Sequence, residues 1–282
     1  MGSSLLKIKK QAEEIKRMYD EDPRTQSYNL IVHGKKGVGK TSLLKTCRKP
    51  VLVHSFDPDG TEVLKEEIAK GEIIADTRFE IDDPYKPTAC REWEDEFNKL
   101  RKIEMFNHLG TFAMDTSTTW LQIIMYEVIR IAALKSAKRT VGEHPHQQDW
   151  LPQMAFVENY MRIFTSLPCD CILLGHSDQA SDEDGMPLGD RTLMVTGKLK
   201  ERIPALFSEV YYLEIKDFKT MERRLLTQPA YGIQAGTRLG RDGRFEKYEK
   251  ANIKRLLGKA GMSKDDKPLL HTLKDEEETK DE

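Results

Sequence analysis

The chain has 282 residues with 45 basic and 47 acidic side chains, and a net charge of −2 singles out no highly charged partner. An apolar share of 38% is enough for a packed core in one large or two small domains, which excludes a wholly disordered chain. No stretch is long and apolar enough to cross a bilayer, and residues 1–10 lack a signal-peptide core, so the expectation is a cytoplasmic protein with no membrane partner.

Residues 3–19 place Leu5, Ile8, Ala12, Ile15 and Tyr19 three and four apart, which predicts an amphipathic helix. Its stripe suits either the body of the same chain or a neighbouring subunit. Residues 20–27 are polar, contain Pro23 and read as a linker. The apolar run Tyr28-Asn29-Leu30-Ile31-Val32-His33 then predicts a buried strand. Directly after it, Gly34-Lys35-Lys36-Gly37-Val38-Gly39-Lys40-Thr41 reads G-x-x-x-x-G-K-T, the phosphate-binding P-loop. Glycines let backbone N–H groups turn inward around phosphates. Lys40 has the reach for the β- and γ-phosphates, and the Thr41 hydroxyl suits Mg²⁺. With Ser42 these residues form a candidate anion site at the start of a helix, whose dipole favours the same charge.

A second strand, residues 50–56, ends in Asp57-Pro58-Asp59-Gly60. Ligands of open α/β sheets sit at the carboxyl ends of strands, so Asp57 or Asp59 is a candidate to orient water or reach Mg²⁺ through water. An ordinary Asx/Pro turn is the competing reading. A short polar helix is expected at 61–70, a strand at 72–75, a loop at 82–87, and then a helix with Trp93, Phe97, Leu100, Ile103 and Met105 as core candidates. The next strand ends in Asp115-Thr116-Ser117, a Walker B pattern in which Asp115 holds Mg²⁺ opposite Thr41. Thr116 or Ser117 also suits the N-cap of the helix that follows.

Helices are expected at 120–137 and 149–167, separated by a polar loop whose His144 and His146 lack further metal ligands at suitable spacing. Residues 169–175 predict a buried strand with Cys169 and Cys171 on one side. With Cys47 and Cys90 they read as reduced, packed thiols. His176 and Gln179, just past that strand, are candidate γ-phosphate sensors. Residues 180–191 read as an acidic loop, 209–215 and 222–227 as paired strands, 248–257 as a basic helix, and 264–282 as a disordered acidic tail. The alternation of strands and helices predicts one α/β domain, a mostly parallel sheet covered on both faces with late antiparallel strands. It spans 28–258, preceded by a helix and linker (1–27) and followed by the tail (259–282).

In this order the motifs resemble the phage nucleotide-binding ATPases with a RecA-like core, the group that includes Sak-type single-strand annealing proteins. The matching residues are Gly34 to Ser42, Asp57-Pro58-Asp59-Gly60, Asp115-Thr116-Ser117, Ile172-Leu173-Leu174-Gly175-His176, and a late block from Gly197-Lys198-Leu199 to Tyr211-Tyr212-Leu213. The resemblance implies a RecA-like P-loop fold, ATP and Mg²⁺ as cofactors, and a homo-oligomer, ring or filament. It implies action on single-stranded DNA in recombination, annealing or replication, alongside a single-strand-binding or replication protein. It also implies a Lys-x-Arg element reaching the neighbour's nucleotide. Here that stretch is Ala235-Gly236-Thr237-Arg238, so Arg238 remains and the Lys position is Gly236. Where the family tends to have a catalytic Glu, this chain has the shorter Asp59. The catalytic set so implied is Lys40, Asp59, Asp115, His176 and Arg238.

Sequence-neutral binding of single strands needs a basic groove and stacking aromatics. The acidic loop 180–191 is poorly suited. The candidates are Lys198, Lys200, Arg202, Arg241, Arg244, Lys247, Lys254 and Arg255, with Phe245 and Tyr248 among them. A second function class, a nucleotide-gated assembly module with little or no hydrolysis, is favoured by the Gly236 and Asp59 departures. Nothing in the sequence reads the base, so ATP over GTP rests on the resemblance alone.

Overall fold

A computed structural model describes residues 2–181 and 186–273. The acidic residues Asp182, Glu183 and Asp184 and the part of the expected tail from Lys274 onward lie outside the described residues. Residues 264–273 of that tail are instead ordered against the body, Asp266 accepting the Lys49 amide at 2.6 Å and the Lys267 amide donating to the Lys49 carbonyl at 2.8 Å. In chain order the strands are β1 (Asn29–Gly34), β2 (Val51–Ser55), β3 (Ile73–Asp76), β4 (Thr111–Asp115), β5 (Asp170–Ser181), β6 (Pro187–Leu193), β7 (Glu209–Asp217), β8 (Glu222–Leu226), β9 (Gly236–Thr237) and β10 (Tyr248–Lys250). The helices are α1 (Gly2–Glu21), α2 (Lys40–Leu43), α3 (Lys65–Ala69), α4 (Ala89–Lys102), α5 (Ser117–Lys135), α6 (Trp150–Phe164), α7 (Leu199–Leu206) and α8 (Ile253–Ala260). The strands form one sheet of ten in the order β10-β8-β7-β1-β5-β4-β2-β3, with β6 beside β5 and β9 beside β7. From β7 to β3 every neighbour is parallel. The late strands β8, β9 and β10 are antiparallel.

The central strands are apolar on both sides because both faces of the sheet are covered. Ile31, Leu52, Phe112, Cys171 and Leu173 enter one core with α4, α5, α6 and α7. Their strand neighbours Leu30, Val32, Val51, Val53, Ala113, Ile172 and Leu174 enter the other, with α2 and α8. The first core is rich in rings. Trp93 stacks on Phe97 at 5.3 Å and meets Trp120 edge-on at 5.1 Å, and truncating a ring so buried costs about 3–5 kcal/mol. His54 sits in that core against Phe79 and Phe112, with neither ring nitrogen bonded among the described residues. Burial pushes its pKa down to about 4, so the imidazole stays neutral. All four cysteines are buried and free.

Several expectations change. The segment 180–191 is no plain loop: β5 continues to Ser181 and pairs antiparallel with β6, with Ser177 opposite Leu193 and Asp178 opposite Thr192. Residues 248–250 are strand, not helix. They pair with Arg224–Leu226 of β8, and the helix begins only at Ile253, where the Asn252 side chain accepts the Arg255 amide at 2.8 Å. Phe245 is core, 2% exposed, and offers no stacking face. Ile103, at the C-cap of α4, is 58% exposed, while Trp93, Phe97 and Leu100 are buried as expected. The stripe on α1 packs on nothing among the described residues, with Ile8 63% and Tyr19 67% exposed. Among the described residues no helix is long and apolar enough to cross a membrane.

Buried polar groups pin the amino edge of the sheet. Asp170 takes the Tyr28 amide at 2.8 Å and pairs with Arg48; burial pushes its carboxyl up against that cation's pull. Glu209, also buried, accepts the amides of Arg238 and Leu239, each at 2.9 Å. That fixes where Arg238 leaves the sheet.

Candidate functional site

The register of four parallel strands builds the site at their carboxyl ends. Gly34 of β1 lies opposite His176 of β5, and Asp115 of β4 lies between Ser55 of β2 and Leu174 of β5. The loops after β1 and β2 therefore open onto the same edge as Asp115 and His176. Between them is a cleft of about 720 Å³ lined by Lys40, Thr41, Asp57, Asp59, Asp115 and His176.

The loop from Gly34 to Thr41 is shaped by its glycines. Gly37 and Gly39 have φ of 82° and 93°, the left-handed region that a side chain disfavours. A Cβ on Gly34 would stand 2.6 Å from the Leu213 carbonyl of β7, so the strand can approach its neighbour only without one. Lys36, Gly37, Gly39, Lys40, Thr41 and Ser42 line the cleft. Lys35 is exposed; it and Gly34 serve through their carbonyls, which accept Lys40 Nζ at 3.1 Å each. Burial lowers the Lys40 pKa, and Asp115 and Asp57 pull the other way. The ammonium is thus curled onto the loop's own carbonyls, ready to exchange them for an anion.

Thr41 Oγ1 donates to Asp115 Oδ2 at 2.5 Å. Burial drives the Asp115 carboxyl up to about 6; the Thr41 bond and the Lys40 charge oppose this, while the Asp57 charge adds to it. A buried carboxylate beside a hydroxyl is an oxygen donor pair suited to a hard divalent cation, and such a cation removes the penalty that burial imposes.

Asp57 and Asp59 part company. Asp57 reaches into the cleft, accepting the Thr116 hydroxyl at 3.2 Å and the Thr119 hydroxyl, with His176 Nε2 at 3.5 Å. Burial works against its charge, but the bonds from His176, Thr119 and Thr116 prevail and hold its pKa below the usual carboxylate value. Asp59 sits in a left-handed turn, φ 59°, exposed at the rim, with no side-chain hydrogen bond among the described residues. His176 bridges the two halves, its Nδ1 3.3 Å from Lys40 Nζ.

Other sequence candidates fall elsewhere. Gln179 is held by Arg191 at 2.9 Å and the Gly189 carbonyl at 3.2 Å, outside the cleft. Arg238 follows β9, which pairs with Glu209 and Val210 at the start of β7, aligned with Leu30 and Ile31. That is the opposite edge of the sheet from the loop. Its guanidinium donates to the Ala205 carbonyl at 3.0 Å. Of the basic candidates, Lys200 pairs with Asp178, Arg202 with Glu158 and Lys254 with Asp266. Arg244 caps the Ala260 carbonyl at 3.3 Å. Lys198, Arg241, Lys247 and Arg255 are exposed with no ion pair among the described residues. Tyr248 lies under Arg224, 3.8 Å from its ring centre.

Two polar cleft residues, Thr119 and Arg223, were not picked out from the sequence, nor was the apolar Val63. Thr119 lies in the first turn of α5, where its hydroxyl donates to Asp57. Arg223 of β8 donates from Nε to the Val38 carbonyl at 2.8 Å and lines the cleft. It belongs to no motif; the pairing of β7 with β8 carries it there.

The AAA domain family model matches residues 26–239, most of the chain, and the chain belongs to that family. No curated protein matches it. Membership makes it a nucleotide-binding P-loop ATPase at that coarse level, and the cleft lies within the matched span.

Proposed function

We propose that the protein is a Mg²⁺-dependent ATPase that works as a homo-oligomer on single-stranded DNA, in phage recombination, annealing or replication. The observation that carries the nucleotide half is the meeting of Lys40, Thr41, Asp115, Asp57 and His176 in one cleft behind a glycine loop. Lys40 and the loop amides hold the phosphates, and Thr41 and Asp115 hold Mg²⁺. When bound, Mg²⁺ neutralises phosphate charge. Asp57, kept ionised and fixed by two hydroxyls and His176, orients the attacking water. His176, between Lys40 and Asp57, senses whether the terminal phosphate is in place. Arg238, on the far edge of its own sheet, serves the cleft of a neighbouring copy. For DNA, the supporting observation is the set of exposed cations Lys198, Arg241, Lys247 and Arg255, which have no ion pair among the described residues.

The test is ATP turnover with and without single-stranded DNA, with Lys40→Ala as the blank. Turnover that DNA stimulates, and that falls at least about a hundredfold in the blank, is expected. Nucleotide binding with turnover at the blank level in both conditions would leave a nucleotide-gated assembly module instead.

A further inference from the structure

Beside the phosphate cleft lies a second cavity of about 460 Å³, between α2 and the β8–β10 edge. The two share Gly39, Ser42 and Arg223 in their walls, so a ligand anchored in one extends into the other past the arginine. The second cavity also takes in Leu43, Thr46 and Lys250. None of its lining residues is aromatic, and the Arg223 guanidinium is its planar cationic surface. That plane is held in position. Nε is bonded to the Val38 carbonyl, and the group lies so close over Gly39 that a Cβ there would stand 2.2 Å from it. Its remaining N–H groups have no partner among the described residues.

A nucleotide with its phosphates in the P-loop must place its sugar and base somewhere beyond Ser42. A flat aromatic base can stack on a planar cation, since a guanidinium lies parallel to a π face over its whole area while an ammonium meets it only as a compact point charge. We infer that the second cavity receives the nucleoside and that Arg223, from the same chain, stacks on the base at the junction of the two cavities. This rests on the nucleotide-binding reading of the cleft. Arg223 then contacts the nucleoside half of the ligand and not the phosphate chain.

The experiment compares Mg·ATP with inorganic triphosphate plus Mg²⁺, by titration calorimetry on the full chain, for wild type, Arg223→Ala, Arg223→Lys and Lys40→Ala. Arg223→Ala is expected to weaken ATP about tenfold, the range of a desolvated cation–π contact, and to leave triphosphate unchanged. Arg223→Lys, which keeps the charge and loses the plane, should resemble Arg223→Ala. Retained triphosphate binding shows that the variant cleft is folded. Equal losses for both ligands, or full rescue by lysine, would make Arg223 a phosphate contact and overturn the inference, as would no loss for either. If wild type binds neither ligand any better than Lys40→Ala, the nucleotide reading itself falls, and this inference with it.

Discussion

The two edges of the central sheet differ in how complete they are. At the carboxyl ends of the strands, Lys40, Thr41, Asp57, Asp115 and His176 meet within one chain, each bonded to another or to the loop. At the amino edge, Arg238 is fixed through Glu209, and among the described residues its guanidinium reaches only the Ala205 carbonyl. The first edge is a cleft whose lining a single chain supplies, and it is the proposed nucleotide site. The second presents Arg238, which the proposed function assigns to the cleft of a neighbouring copy. Under the proposed function, copies stack so that the second edge of one faces the first edge of another.

The comparison sharpens first within the cleft. If Asp57 and not Asp59 orients water, Asp57→Asn should lower ATP turnover about a hundredfold, the range for a positioned proton acceptor. Asp59→Asn, at the exposed rim, should stay within about fivefold of wild type. Steady-state turnover at saturating ATP reads both; the reverse order would return the role to Asp59.

Outside the cleft the expected effects are smaller. Lys247→Ala and Arg255→Ala should each flatten the salt dependence of single-stranded DNA binding by about 0.7 in log K against log salt, the value for one phosphate contact. Lys200→Ala and Arg202→Ala, whose charges are already paired with Asp178 and Glu158, should leave the slope unchanged. Equal slopes across all four variants would mean that DNA, if bound, lies elsewhere.

What was legible in the sequence divides along the same line. The P-loop announces itself because backbone geometry demands glycines at fixed spacing, and Asp115 because a carboxylate at a strand end breaks an apolar run. The parallel core was legible because strands buried on both faces are apolar throughout. Residues 248–250 misled because a short edge strand followed directly by a capped basic helix has no period of its own. The β5–β6 pairing was hidden by its polar composition, which reads as loop until the register of Ser177 with Leu193 is known. Arg223 and Thr119 were invisible for a different reason. Their place in the cleft depends on the pairing of β7 with β8 and on the start of α5, not on neighbours in sequence. Phe245 looked like a stacking platform because sequence shows a ring among cations and not the core behind it.

The most direct test of the account mixes two inactive proteins. Lys40→Ala keeps Arg238 but loses the phosphate lysine; Arg238→Ala keeps the cleft but loses the arginine. Each alone should turn over ATP near the blank, since an arginine supplied in trans contributes about 10³-fold or more. Combined as dilute protomers and then allowed to assemble, an equimolar mixture should recover about a quarter of wild-type turnover, because random neighbours pair an intact cleft with an intact Arg238 that often. A mixture no more active than the average of its two components would contradict the claim that one chain completes the site of the next.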